Sequence, residues 1–190
     1  MSETYIDSEI FTKIDFTKNK FKKGEYDNCT FENCNFEQIN VSNIQFLECM
    51  FIACNFSNTV VNNAAFKDVE FVNCKMIGVK FNECNPFLLQ FSFKNCLLNF
   101  VSFFQLKILK TNFINCNLQE SDFTKTDVSG SFFDECDLKG AIFQETILEQ
   151  VDFRNAFHFS INPEINRLKG AKFTKENVVG LLQKYQIVIE

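Results

Sequence analysis

Large apolar residues recur at every fifth position along most of this chain. Thr111–Asn155 shows the pattern most clearly: TNFIN, CNLQE, SDFTK, TDVSG, SFFDE, CDLKG, AIFQE, TILEQ, VDFRN. The third residue of every five is Phe, Leu or Val. The first is small or β-branched, the second most often Asn or Asp, and the last two are usually polar. A period of five fits neither an α-helix nor a plain strand. Five residues carry an α-helix roughly 140° past a full turn, which would smear the apolar positions over its whole surface. The period therefore belongs to the fold itself, as in repeat architectures.

The same phase runs upstream through Phe11, Phe16, Phe21, Tyr26, Phe31, Phe36, Val41, Phe46, Phe51, Phe56, Val61, Phe66, Phe71, Met76 and Phe81. It then slips by two residues near Asn85–Pro86–Phe87 and resumes at Leu88, Phe93, Leu98, Phe103 and Ile108. Proline cannot donate a ladder hydrogen bond, so a bulge or corner is expected there.

Fives of a small residue, Asn or Asp, Leu or Phe, and two variable residues resemble the pentapeptide repeat. The resemblance implies an all-β fold: a right-handed quadrilateral parallel β-helix, a solenoid with one five per side and about twenty residues per coil. The spacing of this chain agrees with four sides. Phe11, Phe31, Phe51, Phe71, Phe93, Phe113, Phe133 and Phe153 form one column across the slip. Downstream of the slip, Phe and aliphatic centres alternate, which avoids overfilling a coil with four aromatic rings. About thirty fives make roughly seven to eight coils, a rod on the order of 35–40 Å long.

Residues 1–10 are expected to be a lead-in or cap, residues 11–158 the repeat with a loop near 82–87, and residues 159–190 a C-terminal cap. Leu168 and Phe173 suggest a final partial coil. Thr174 is an expected N-cap for a helix through Tyr185, with Val178, Val179, Leu181, Leu182 and Tyr185 as its apolar stripe. Ile187–Val188–Ile189 reads as a short strand. This tail resembles that of the Qnr quinolone-resistance group, in which helix and strand pair two rods end to end. The resemblance implies a homodimer through Val178, Val179, Leu181, Leu182, Tyr185, Ile187 and Ile189; the alternative is a helix that folds back to cap its own rod.

Composition narrows the chemistry. There are nine Cys and one His. Cys34, Cys54 and Cys74 are spaced by twenty, as are Cys96, Cys116 and Cys136, so each set is expected to stack at about 4.8 Å. A disulfide wants Cβ atoms roughly 3.8 Å apart, and zinc wants tight pairs. Buried, small, apolar thiols are the expectation, with no metal and no cofactor. The six Gly form no phosphate loop, and a lone His158 supports no triad, so no enzyme is expected. The start MSETYIDSEIF lacks a basic segment followed by an apolar one. No apolar run approaches the roughly 18–20 residues of a membrane span. A cytoplasmic protein without direct nucleic-acid or membrane binding is expected.

Charge is banded. The net charge is −5. Residues 24–66 carry Glu25, Asp27, Glu32, Glu37 and Glu48 and no Lys or Arg. Residues 120–152 carry Glu120, Asp122, Asp127, Asp134, Glu135, Asp137, Glu145, Glu149 and Asp152 against Lys125 and Lys139. The Qnr resemblance implies a rod that binds DNA gyrase or topoisomerase IV as a DNA mimic, with these nine acids as candidate contacts. Duplex DNA carries one charge per about 1.7 Å, so a rod of about 36 Å would need roughly 21; only the 120–152 band approaches that density. The Qnr proteins also use projecting loops, which this chain lacks. The alternative is a structural or adaptor scaffold for protein–protein interaction with no topoisomerase role.

Overall fold

Each five makes one side of a four-sided coil in the computed structural model, which describes residues 4–87 and 89–188. The central residue points inward: Phe113, Leu118, Phe123 and Val128 are fully buried. These four define sides one, two, three and four of the coil. The first residue of the five also points inward, as at Cys116, Ser121, Thr126 and Ser131. The fifth turns the corner in the left-handed region, with φ 49° at Asn115, 57° at Glu120 and 57° at Lys125. Asn is several-fold enriched there among non-glycine residues, and Asn33, Asn73, Asn95 and Asn115 repeat at one corner. At many corners the N–H after the bend donates to the central carbonyl, as Leu106 to Phe103 at 3.0 Å and Thr126 to Phe123 at 3.1 Å. That is a β-turn with positive φ at its third residue.

Extended stretches between corners ladder onto the next coil. The described strands are β1 (Thr4–Asp7), β2 (Ile10–Thr12), β3 (Gly24–Asp27), β4 (Thr30–Glu32), β5 (Gln45–Leu47), β6 (Met50–Ile52), β7 (Ala65–Lys67), β8 (Val69–Val72), β9 (Phe91–Lys94), β10 (Asn112–Ile114) and β11 (Phe132–Asp134). Side one is a parallel sheet in the order β2-β4-β6-β8-β9-β10-β11, and side four begins as β1-β3-β5-β7. Above the slip, side four continues as single bridges, Lys107 to Asp127 and Asp127 to Ile147. Sides two and three are also bridged singly, for instance Leu97 to Asn117 to Asp137 and Ser102 to Asp122 to Ile142. Every pairing is between successive coils, so each coil rests only on its neighbours.

The expected Phe column is present and one ring longer. Its rings stack at 4.7 Å (Phe11–Phe31), 4.8 Å (Phe31–Phe51), 5.2 Å (Phe51–Phe71), 5.4 Å (Phe71–Phe93), 5.3 Å (Phe93–Phe113), 4.8 Å (Phe113–Phe133) and 5.1 Å (Phe133–Phe153), and Phe173 continues the stack at 5.4 Å. A second column on side three, Phe81–Phe103–Phe123–Phe143, stacks at 5.3, 5.0 and 5.1 Å. The two columns meet edge to face, as at Phe113–Phe123 (6.1 Å, 86°), a favoured aromatic geometry.

The slip is local. Asn85 N–H bonds Ala64 C=O just as Ala65 N–H bonds Ile44 C=O, and Phe91 already pairs with Val69 in the shifted register. The extra residues therefore fall within 86–90; Leu88 lies outside the described residues. Phe91 occupies a first, normally small position, and its ring fills the widened corner against Phe81 (5.2 Å) and Phe93 (5.0 Å).

The ends differ from the pattern. The ladder starts earlier than the central-residue phase suggests, because Thr4–Asp7 already pair with Gly24–Asp27. At the other end the expected continuous helix is instead two short 3-10 turns, Val178–Leu181 and Gln183–Tyr185. Thr174 opens the segment as a reciprocal pair with Asn177, its hydroxyl accepting the Asn177 N–H at 3.2 Å and the Asn177 side chain accepting the Thr174 N–H at 2.9 Å, but the N-cap of the first 3-10 turn is Asn177 and not Thr174. Gly180, inside the first turn, is clamped against the rod, where a Cβ would come 2.4 Å from the Phe159 ring. Gln186, at φ 51°, then turns the chain. Ile187 and Val188 form no strand, and Ile189 lies outside the described residues.

Candidate interaction surface

Most inward polar side chains are committed to the wall; the Ser57 hydroxyl and the Asn82 Oδ1 are buried without a hydrogen-bond partner. Each Cys that opens a side-two five donates its S–H to the carbonyl of the side-one column Phe one coil below: Cys34 to Phe11, Cys54 to Phe31, Cys74 to Phe51, Cys96 to Phe71 and Cys136 to Phe113, all at 3.3 Å, and Cys116 to Phe93 at 3.6 Å. Hydroxyls at the same position do likewise, Thr126 to Phe103 and Thr146 to Phe123, both at 2.8 Å. The nine cysteines are free and buried. Burial pushes the Cys49 thiol up to about 12 and Cys84 well above the ordinary thiol range. The adjoining thiol, with burial, pushes Cys74 and Cys116 up as well. Such thiols are poor nucleophiles. Among the described residues no three of His, Cys, Asp and Glu converge as a metal site.

The nine candidate acids surround the rod instead of sharing a side. Asp134, Glu135 and Asp152 lie on side one, Glu120 and Asp137 on side two, Asp122 and Glu145 on side three, and Asp127 and Glu149 on side four, as their bridge partners and register show. Four of them brace corners, accepting the N–H two residues on: Asp122 from Thr124 (2.8 Å), and Asp127 from Ser129, Asp137 from Lys139 and Asp152 from Arg154 (each 3.1 Å). Asn35 and Asn117 do the same at other corners. Such Asx-type turns explain the Asn/Asp preference at the second position.

Several of the acids are also paired. Arg154 lies 2.8 Å from Asp152, with Lys172 at 3.9 Å; Arg167 lies 2.7 Å from Glu149, Lys125 3.9 Å from Glu145, and His158 2.9 Å from Asp137. Hydrogen bonds from Arg154 hold the Asp152 carboxyl below the usual carboxylate range. Burial pushes Asp137 up, but hydrogen bonds from the Gln119 amide and His158 outweigh it, and the net shift is downward. Glu120, Asp122, Asp127, Asp134 and Glu135 have no ion pair among the described residues.

The C-terminal segment folds over the end of its own rod. The Asn177 amide donates to Phe153 C=O at 2.8 Å and Ala156 C=O at 3.1 Å, and Leu181 packs on the core. Val178, Val179, Tyr185 and Ile187 remain exposed, and Leu182 is half-buried. Tyr185 bonds Glu164 at 2.9 Å, and Lys184 pairs with the same carboxylate. No helix among the described residues is long and apolar enough to cross a membrane.

A coil built of four five-residue sides defines the class of protein. The sequence matches the family description "Pentapeptide repeat region" over residues 24–103 and "Pentapeptide repeats (8 copies)" over residues 96–140 and 116–155. The chain belongs to the pentapeptide repeat family. No curated protein sequence matches it. Among solved structures it is similar to trypsin-treated QnrB1, described as a plasmid-mediated fluoroquinolone resistance protein. That match has a TM-score of 0.78 at 15% identity and covers 98% of this chain and 92% of that one. It is also similar to HetL of Nostoc sp. strain PCC 7120, described as involved in heterocyst differentiation regulation. There the TM-score is 0.63 at 11% identity, covering 87% of this chain and 84% of that one. At these identities the likeness is one of fold.

Proposed function

We propose that this chain is a non-enzymatic, cytoplasmic rod that acts by binding a protein partner along its outer sides. The observation carrying this reading is the use of the interior. Stacked rings fill the axis, and most of the inward thiols and hydroxyls are bonded to wall carbonyls. Surface recognition is then the chemistry left to the molecule. The first partner to test is DNA gyrase or topoisomerase IV, a choice supported by the likeness in form to a fluoroquinolone resistance protein. The dispersal and pairing of the acids favour a local acidic patch over mimicry of a full groove length. Gyrase supercoiling, with and without a fluoroquinolone, is expected to change at micromolar protein. No change in either arm removes the topoisomerase partner, and partner capture from the host then tests the adaptor reading.

The exposed Val178, Val179, Tyr185 and Ile187 support a second copy as partner at this end. Substituting Val179→Asp with Ile187→Asp is expected to convert a dimer to a monomer by sedimentation without altering the circular dichroism spectrum. Wild-type protein that already sediments as a monomer rules this dimer out.

A further inference from the structure

Side four changes character at mid-length. Between Glu83 and Glu120 the chain contains no Asp or Glu, although the whole carries 24 acids. The same stretch leaves large apolar side chains in solvent, among them Phe87 at 75% and Leu109 at 42% exposure. These two stand on side four with half-buried Leu89. Around them are Lys67 on β7 below and Lys107 and Lys110 on the coil above. None of the three lysines has an ion-pair partner among the described residues. The extra residues at 86–90 adjoin an open groove of about 500 Å³, lined by Phe91, Leu109 and Lys110 and, from the coil below, by Asp68 and Glu70. An apolar patch of this kind, rimmed by polar groups, marks an interaction site.

We propose that this stretch of side four docks a protein segment carrying apolar anchor residues flanked by carboxylates. This rests on the protein-binding reading and names the surface and the partner's chemistry. The apolar side chains supply the anchor site. The unpaired lysines supply the charge preference, which governs specificity and encounter rate more than raw affinity. A membrane fits less well, because an anionic sheet laid along the side would also meet Asp27 and Glu48 below the patch, Asp68 and Glu70 at its edge and Asp127 above it, whereas a short segment can set its carboxylates on the lysines alone. A second copy fits less well too, because Glu145, Glu149 and Asp152 already hold cations of their own chain.

The test uses three labelled peptides of about twelve residues, alternating Leu–Glu, Leu–Lys and Ser–Glu, titrated with the full chain by fluorescence anisotropy. The Leu–Glu peptide is expected to bind about tenfold or more tighter than the other two. Leu109→Asp and Lys110→Glu are each expected to weaken it by about tenfold or more with unchanged melting, while Ile142→Asp on side three leaves it unaltered. Equal affinity for all three peptides overturns the proposal, as does indifference to Leu109→Asp. So does tighter binding to phosphatidylserine vesicles, or a dimer that Leu109→Asp alone disperses. Partner capture that survives Leu109→Asp would remove this side and leave the protein-binding reading standing; capture of nothing by any variant would remove the reading itself.

Discussion

A thiol or hydroxyl at the first position of a five has two tasks: to be small enough to sit inside the coil, and to donate to a carbonyl one coil below. Sequence reading reaches only the first, and takes the cysteines as small buried apolar groups. The second joins residues 23 apart and shows only once the coil register is known. Asn166, which donates to Phe143 C=O at 2.9 Å, does the same work without matching the small-residue pattern. Thr126→Val keeps the volume and removes the donor. It is expected to lower stability by about 1 kcal/mol, the net worth of one buried hydrogen bond, read from the denaturant midpoint. At Asp152 the Arg154 guanidinium lowers the folded carboxyl below its unfolded value of about 3.9. Its contribution to stability is therefore complete above that value and is lost as pH falls through the folded one. The unfolding midpoint is expected to hold between pH 6 and 5 and to fall below about pH 4, with a smaller fall in Asp152→Asn. An equal fall in the variant would place the acid sensitivity elsewhere.

Among elements, the side-one column is the most legible in the sequence, since one residue type recurs at a fixed spacing and the slip leaves it unbroken. Phe113 sits fully buried between Phe93 and Phe133. Phe113→Ala is expected to cost about 3–5 kcal/mol in equilibrium unfolding, as a large core truncation. A loss below about 1 kcal/mol would mean that the neighbouring rings close the gap. The C-terminal segment is the least legible element. Its apolar spacing suits a helix, but Val178-Val179-Gly180 has low helical propensity, and a segment so short is marginal without tertiary support. Packing against Phe159 then decides its form, and that contact leaves no trace in the local sequence.

For the whole molecule, the fold follows from one period, whereas the surface does not. The band of acids at 120–152 is conspicuous along the chain, yet four-sided winding distributes it around the axis, and the cations that pair with Glu149 and Asp152 come from residues 154–172. Linear charge density is thus a poor guide to the field of a coiled rod. The slip has a different implication. The rings of Phe71 and Phe93 stay 5.4 Å apart across it, with the Phe91 ring filling the corner, so the column keeps its stacking while most of the added chain is shed outward. Because closing a longer loop costs only about 0.6 kcal/mol per doubling of length, the corner at Pro86 is a natural graft point. Evolution, or an engineer, can hang new sequence there while the scaffold beneath goes on folding as before.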